Sequence, residues 1–348
     1  MANLSDVAKK AGVSVTTVSR FLNGSLSLPD ARAHQIRTAV DELRYVPNPH
    51  ARRLSRGRSD AIGLVVPDIA GPFFARLVAA VEEEADRLGL GLVLHATLNR
   101  PARELRYLDS LRMRHLDGMI FVTNRAADSA LLAAVRSCQH LVLLDEDVPG
   151  AKVPKVFCDN EAGGRMAGGY LAAMGHRSVL FVGGEADMVS GRRRYRGFEQ
   201  EMHRVSDGPV RIERVLGRYI PETGRDAARR FLEMAPRPTA IFATSDEMLI
   251  GLIEVLRDAL VTIPDDVSLL GFDDIGPLHL FAPPITAIRQ PVRDLGRRAL
   301  GVLLETLKTE TGEAAPTEEL LPVTLIERAS VAPPTTRLKA TANRKDMT

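Results

Sequence analysis

The stretch Val15-Thr16-Thr17-Val18-Ser19-Arg20 presents small polar residues and one arginine on the faces left over once Val18 is turned inward. Side chains of these types recognise; they do not make or break bonds. A threonine hydroxyl can bond to a base edge, a valine methyl can pack on a thymine methyl, and an arginine fork suits a guanine. Ser14, Thr17, Ser19 and Asn23 complete the expected DNA-facing set. A second group stands at the ends of apolar runs: Asp145 after HLVLL, Ser245 and Asp246 after TAIFAT, and Asp273 and Asp274 after DVSLLGF. Phe73 and Phe74 follow the first such run, beyond Asp68, and Gln290 lies at a break between elements. Carboxylates, an arginine fork and an aromatic wall together fit a polyol or sugar. The arginine-rich string SGRRRYRGFEQ leaves a sugar acid or sugar phosphate open.

Catalytic chemistry is hard to find. The eight histidines are scattered, and no Ser-His-Asp or metal-ligand spacing is readable. Gly183-Gly184 follows a strand, yet no G-x-G-x-x-G or Walker pattern surrounds it. Cys138 and Cys158 have neither C-x-x-C spacing nor histidine partners, and read as buried reduced thiols. No enzyme activity, cofactor or metal is expected.

The elements that must position these residues are legible as periods. Leu4, Val7, Ala8 and Ala11 recur at i, i+3, i+4, i+7, with Ser5 at the N-cap or in the first turn and Gly12 where a helix ends. Ser14 caps a second helix whose apolar face is Val18, Phe21 and Leu22. Joined by so tight a turn, the two helices must cross steeply, which is a helix-turn-helix. A third helix begins near Pro29 and runs through Ile36, Val40 and Leu43, with Tyr45 and Val46 closing a mini-core. Pro47-Asn48-Pro49 stops it, and a short basic stretch, HARRLSRGRS, follows.

From Ala61 onward, short apolar runs (AIGLVVP, GLVLHAT, GMIFVT, HLVLLD) alternate with amphipathic helices, as in strands buried on both faces of a parallel sheet. The series repeats from about residue 155 with SVLFVGG, RIERVLG, TAIFAT and DVSLLGF. The fold class is α/β: a three-helix headpiece followed by two doubly wound units in tandem, with ligands at the carboxyl ends of their strands.

Charge agrees with this division. Residues 1–58 hold 10 Lys and Arg against 4 Asp and Glu, leaving 36 against 40 for the rest of the 348 residues. A small basic segment on a slightly acidic body fits nucleic acid bound at one end. No apolar run approaches the ~20 residues of a membrane span. The first residues lack the apolar core of a signal peptide, so a cytoplasmic protein is expected, with no membrane partner.

The string LSDVAKKAGVSVTTVSRFLNG resembles the headpiece of the lactose-repressor (LacI/GalR) family, and the likeness extends over residues 2 to about 332. It implies that Val15, Thr16 and Arg20 read bases. It also implies that the basic stretch folds into a hinge helix on DNA, with Leu54 wedged between base steps. Ala51 would keep paired hinges close, and Arg52, Arg53, Arg56 and Arg58 would meet phosphates or the groove wall. In the core it implies a relative of periplasmic sugar-binding proteins that crosses three times between subdomains. Arg194 would be the effector-binding arginine, Tyr219 an aromatic wall and Asp273 an acidic ligand. Ser245 departs from the Asn common in the family. Asp246 suits a ligand role or a helix cap.

The expected domains are a headpiece (1–46), a hinge (47–59), an effector-binding and dimerisation core (60–332) and a disordered tail (333–348). Within the core, one subdomain comprises about 60–158 and 292–320, the other about 159–289 and 321–332. The expected function is a repressor of a carbohydrate-utilisation operon, a homodimer on palindromic operator DNA controlled by a sugar-like effector. A corepressor-dependent regulator answering to a nucleobase, sugar acid or sugar phosphate is the alternative; a sugar-binding protein or an enzyme on the same fold comes from a different class. The tail lacks a leucine heptad, so a dimer is expected and not a tetramer.

Overall fold

A computed structural model describes residues 2–23, 26–45, 59–113, 115–274, 276–309 and 317–334. The chain divides into two compact units, Met1–Asp60 and Ala61–Thr348. The hinge residues Ala51, Arg52, Arg53, Leu54, Arg56 and Arg58, together with Val46 and the tail beyond residue 334, lie outside the described residues.

The first unit contains α1 (Leu4–Ala11), α2 (Val15–Leu22) and α3 (Asp30–Glu42). Asn3, and not Ser5, caps α1: its side chain accepts from the Asp6 N–H while the Asp6 carboxylate accepts from the Asn3 N–H, a reciprocal capping box. Gly12, at φ 64°, closes α1 in the left-handed region, and Val13 N–H bonds back to Ala8 O at 3.1 Å. Ser14 then caps α2 by accepting from Thr17 N–H at 3.1 Å. This Gly-x-Ser turn leaves no room for the helices to run antiparallel. Val7, Ala8, Ala11, Val18, Ile36 and Ala39 form the buried centre, closed by Phe21, Leu22, Val40 and Tyr45.

The second unit holds two six-stranded sheets. The first has the order β11-β5-β4-β3-β1-β2 and the second β12-β10-β9-β8-β6-β7. The strands are β1 (Ala61–Val66), β2 (Gly91–Ala96), β3 (Gly118–Phe121), β4 (Leu141–Leu144), β5 (Lys155–Cys158), β6 (Ser178–Gly184), β7 (Arg211–Gly217), β8 (Ala240–Ala243), β9 (Ser268–Phe272), β10 (Thr286–Arg289), β11 (Glu318–Leu321) and β12 (Thr324–Ile326). Every pairing is parallel except β10 with β12. The helices between them are α4 (Pro72–Arg87), α5 (Pro101–Arg112), α6 (Ser129–Arg136), α7 (Asn160–Ala173), α8 (Val189–Val205), α9 (Pro221–Glu233), α10 (Asp246–Asp258) and α11 (Val292–Thr306).

The chain passes between the sheets three times: after β5, after β10 and between β11 and β12. The helix α11 returns to the first sheet and packs on α4, β3, β4 and β5. Two expectations need correction. The strand at 155–158 pairs with β4 and β11 in the first sheet, so the second series starts at β6 and not near residue 155. The run GLVLHA is not buried on both faces: β2 is an edge strand with Val93 and Leu94 exposed, because no strand among the described residues pairs beyond it.

Close helix contact fixes the second subdomain. A Cβ on Gly164 of α7 would lie 2.1 Å from Arg194 O, and one on Gly197 of α8 would lie 2.1 Å from Glu161 O. The two backbones touch, and this sets where the Arg194 side chain begins.

Candidate functional site

On α2, Val15, Thr16 and Arg20 are exposed, while Thr17, Ser19 and Asn23 are half-buried. The Ser14 hydroxyl is committed to the cap and to Thr17 Oγ1 at 2.7 Å, so both side chains hold the helix start in place. The Arg37 guanidinium lies 5.6 Å from the Phe21 ring and braces the inner side of the same helix. The exposed face is thus polar, short and rigidly seated, as groove entry requires.

In the core, the carboxyl ends of the two sheets face one another across a cleft. It is lined by Phe73, Phe74, Asp145, Arg194, Tyr219, Ser245, Asp246, Asp273 and Gln290, all nine residues singled out for an effector. The topology explains the meeting. Asp145 follows β4 and Asp273 follows β9, the equivalent strands of the two sheets, and each adopts positive φ (72° and 71°) to turn its carboxylate inward. Such strain in a non-glycine residue persists where surrounding packing imposes it, and it clusters at functional sites.

Arg194 is the centre of the cleft. Its Nε donates to Asn160 Oδ1 at 2.7 Å and its Nη1 to Thr244 O at 2.5 Å, and the guanidinium lies 3.8 Å from the Phe272 ring centroid. Burial opposes its charge, but Tyr219 and Asp273 more than offset this and keep it firmly protonated. Gln290 Nε2 donates to Asp273 Oδ1 at 2.5 Å from the second crossover. Asp246 Oδ2 and Gln290 Oε1 are buried without a hydrogen-bond partner. Unpaired buried acceptors are costly and rare, and here both face one cavity. The remaining free space, about 50 Å³, holds little more than a water or two. In this conformation the space is too small for a sugar.

Several roles differ from expectation. Ser245, and not Asp246, caps α10, accepting from Met248 N–H at 3.3 Å. Asp246 is thereby released toward the cavity. Asp274 does not reach the cleft; it binds Arg289 and Arg328 at 2.6 and 2.8 Å, tying β10 to the segment after β12. Gly184 serves no nucleotide: a Cβ there would lie 2.6 Å from the Tyr219 ring, so the glycine makes room for that wall. Arg193 and Arg196 pair with Glu318 and Glu161, which leaves Arg194 as the inward member of its run.

Two residues escaped the sequence reading. Asn160, at the start of α7, positions Arg194. Glu146 in the first lobe accepts from Val189 N–H at 2.9 Å, and also from the Ser190 N–H and hydroxyl, at the N-terminus of α8 in the second lobe. The partly positive helix end suits this carboxylate. An acid following Asp145 was visible, but its bond across the cleft depends on two distant segments meeting.

Burial pushes the Asp145 carboxyl up to about 7, against the pull of Arg194 and with a further push from Asp273. Burial, with Asp273 and Glu247 nearby, pushes Asp246 up to about 8. Both folded values exceed the unfolded ones, so the closed form holds protons that the unfolded chain releases. Their contribution to stability is full below about pH 4 and is lost as pH rises through 7 to 8. Thermal unfolding between pH 5 and 8 should therefore show Asp145→Asn gaining most at the alkaline end, by about 2 °C or more. A gain independent of pH would contradict the assignment.

The comparisons with known proteins agree with this geometry. Residues 3–48 match the family model for bacterial regulatory proteins of the lacI family, and residues 169–331 match a periplasmic binding protein-like domain. The HTH-type transcriptional repressor PurR of Haemophilus influenzae is 33% identical over 310 residues, covering 88% of this chain and 91% of that protein. Among solved structures, the lac repressor dimer bound to operator and the anti-inducer ONPF superposes with a TM-score of 0.80 at 27% identity, covering 95% of this chain and 99% of that one. The transcriptional regulator CelR in complex with cellobiose gives a TM-score of 0.70 at 29% identity, covering 95% of this chain and all of the other. These relatives are regulators and not enzymes. No helix among the described residues is long and apolar enough to cross a membrane. With a helix-turn-helix in its first residues, a two-lobed core following in the sequence and relatives matched over most of its length, this chain belongs to the LacI family of bacterial regulatory proteins and is a DNA-binding transcriptional regulator.

Proposed function

We propose that the chain is a repressor that binds a palindromic operator as a homodimer and is controlled by a small hydroxyl-rich effector in the cleft. The observation that carries this reading is the pair of buried, unpartnered acceptors, Asp246 Oδ2 and Gln290 Oε1, beside the anchored Arg194 guanidinium. Hydroxyls supply donors to the first two and an acceptor to the third. The lac repressor and CelR structures, with a small molecule and cellobiose respectively, support a sugar-like occupant here. The likeness to the lac repressor dimer on operator supports the dimer. So do the exposed apolar residues on the edge strands, Val93 and Leu94 on β2 and Leu216 on β7, which a second copy would cover.

In this reading Val15, Thr16 and Arg20 touch base edges, with Ser14, Thr17, Ser19 and Asn23 around them, and the hinge containing Ala51, Arg52, Arg53 and Leu54 enters the minor groove. Effector binding shifts the lobes and so changes how well two hinges pair on DNA, a coupling of about 1 to 3 kcal/mol. Leu54→Ala is expected to weaken operator binding about tenfold or more through the lost wedge. Effector affinity should stay unchanged. Equal operator affinity, measured by fluorescence anisotropy, would remove the wedge from the account.

A thermal-shift screen tests the ligand class. Sugars, sugar acids, sugar phosphates and nucleobases are compared with the purified full chain, since a molecule bound by the native state alone raises its melting temperature. Stabilisation by a sugar supports the reading. Stabilisation by a nucleobase alone would replace it with a corepressor mechanism on the same cleft.

A further inference from the structure

The charges facing the cleft do not balance. Asp145 and Glu146 come from the first lobe and Asp246, Glu247 and Asp273 from the second, while Arg194 is the one cationic side chain among the described residues that line it. Asp68 and Glu222 add negative field at Glu247. Glu146 is compensated by the N-terminus of α8, and Asp273 by Gln290 and Arg194. Asp246 takes one hydrogen bond, from Glu247 N–H at 2.9 Å, and its other oxygen has none. The Asp145 carboxylate makes no ion pair or hydrogen bond among the described residues and feels both Arg194 and Asp273. Arg194 has Nε and Nη1 committed to Asn160 and to a carbonyl, so it acts on the two aspartates through its charge and through no hydrogen bond among the described residues.

Resting on the reading of this cleft as the effector site, we infer that its ligand carries a positive charge as well as hydroxyls: an amino sugar or similar aminated polyol. Of the three orphaned buried atoms in the cleft lining, Asp246 Oδ2 and Gln290 Oε1 are acceptors and the Tyr219 hydroxyl can accept as well as donate, and an ammonium is a group with three donors and no acceptor. Asp145 lies close enough to Asp273 to feel its charge, and Glu247 reaches the first lobe, where a Cβ on Gly71 would lie 2.7 Å from its Oε1. Like charges converge as the lobes meet, so a cation between them favours closing. Burial is the first cause of the raised proton affinities of Asp145 and Asp246, and Asp273 adds to both. A sugar acid or phosphate would add to the imbalance. Low-dielectric walls also focus the negative field outward, drawing cations to the mouth.

The test uses matched ligands on the full-length protein: glucosamine, galactosamine and mannosamine, their neutral parents, and glucose 6-phosphate and gluconate as anions. Calorimetric titration at low and high salt gives each affinity, and operator anisotropy reports whether the binder acts on DNA. The expected result is an amino sugar bound at least about tenfold tighter than its parent, the equivalent of 1.4 kcal/mol. That preference should shrink in high salt and in Asp145→Asn. The variant is expected to fold, since asparagine accepts positive φ. A neutral parent bound as tightly, and altering operator affinity, would overturn the charge inference and leave the effector reading intact. Preferential binding of an anion would also overturn it. Silence from all three classes, in protein that still binds operator, would reject the charge inference and the sugar reading together.

Discussion

Arg194→Ala is expected to abolish the response of operator binding to effector while leaving basal operator affinity within about twofold. The arginine belongs to the second unit and is not one of the α2 residues expected to face DNA. Within the core it links α8 to Asn160, Thr244 O and the Phe272 ring, and it is the charge that opposes Asp145 and Asp273. Removing it leaves buried carboxylates without their counter-ion, a change that costs about 3 to 5 kcal/mol when one partner of a buried pair is lost. Some of that cost is relieved by protonation, because the same carboxyls already bind protons readily. Effector binding should fall by more than 100-fold, since a charge-assisted contact and the shape of the site disappear together. Lysine at 194 should not restore it, having a point charge where a planar fork is held by two acceptors. Anisotropy with and without effector separates the two properties. A retained response would move the effector site away from the cleft.

Gly164→Ala is expected to be strongly destabilising. The added methyl would lie 2.1 Å from Arg194 O, and backbone cannot swing aside as a long side chain does. The helices α7 and α8 must separate, at a cost of more than ~3 kcal/mol. Separation also displaces the backbone that carries Arg194. Urea unfolding should show a lower midpoint, and the surviving folded protein should bind effector more weakly. Gly169→Ala, where the nearest atoms belong to the flexible Glu201 side chain at 3.3 Å, is the control and should change little. Equal behaviour of the two variants would contradict the close-contact account.

What was legible in the sequence follows the range of the interactions. The headpiece is written in contacts a few residues apart, so the face carrying Val15, Thr16 and Arg20 could be read from spacing and capping alone. Ser5 takes the second of its two expected places, in the first turn of α1, since the reciprocal bond with Asp6 gives the cap to Asn3. In the core, strand-end acids were visible as acids after apolar runs. That Asp145 and Asp273 would meet required two sheets to face each other, which patterning does not encode and the family resemblance supplied. The edge position of β2 was hidden because an apolar run has the same composition whether a neighbouring strand or a second copy covers it. Asn160 and Glu146 were missed for a related reason: each acts across a junction between segments more than 30 residues apart. The glycines at 163, 164 and 168 carried a signal, small residues repeated within one helix, that could have announced a backbone contact. Ser245 in place of the family's common asparagine is the departure that carries most meaning, because it takes over the cap and frees Asp246 for the cavity.

The central claim is that occupation of the cleft changes affinity for DNA through the hinge. The measurement that meets it directly is an anisotropy titration of a selected palindromic operator by the full-length protein, at fixed salt, with and without a ligand that stabilises the core. The account predicts a shift in operator Kd of about 5- to 150-fold, and an equal reciprocal shift in ligand affinity when operator is present. Saturating ligand that leaves operator affinity unchanged would contradict it, because a molecule with no preference between two states cannot move the balance between them.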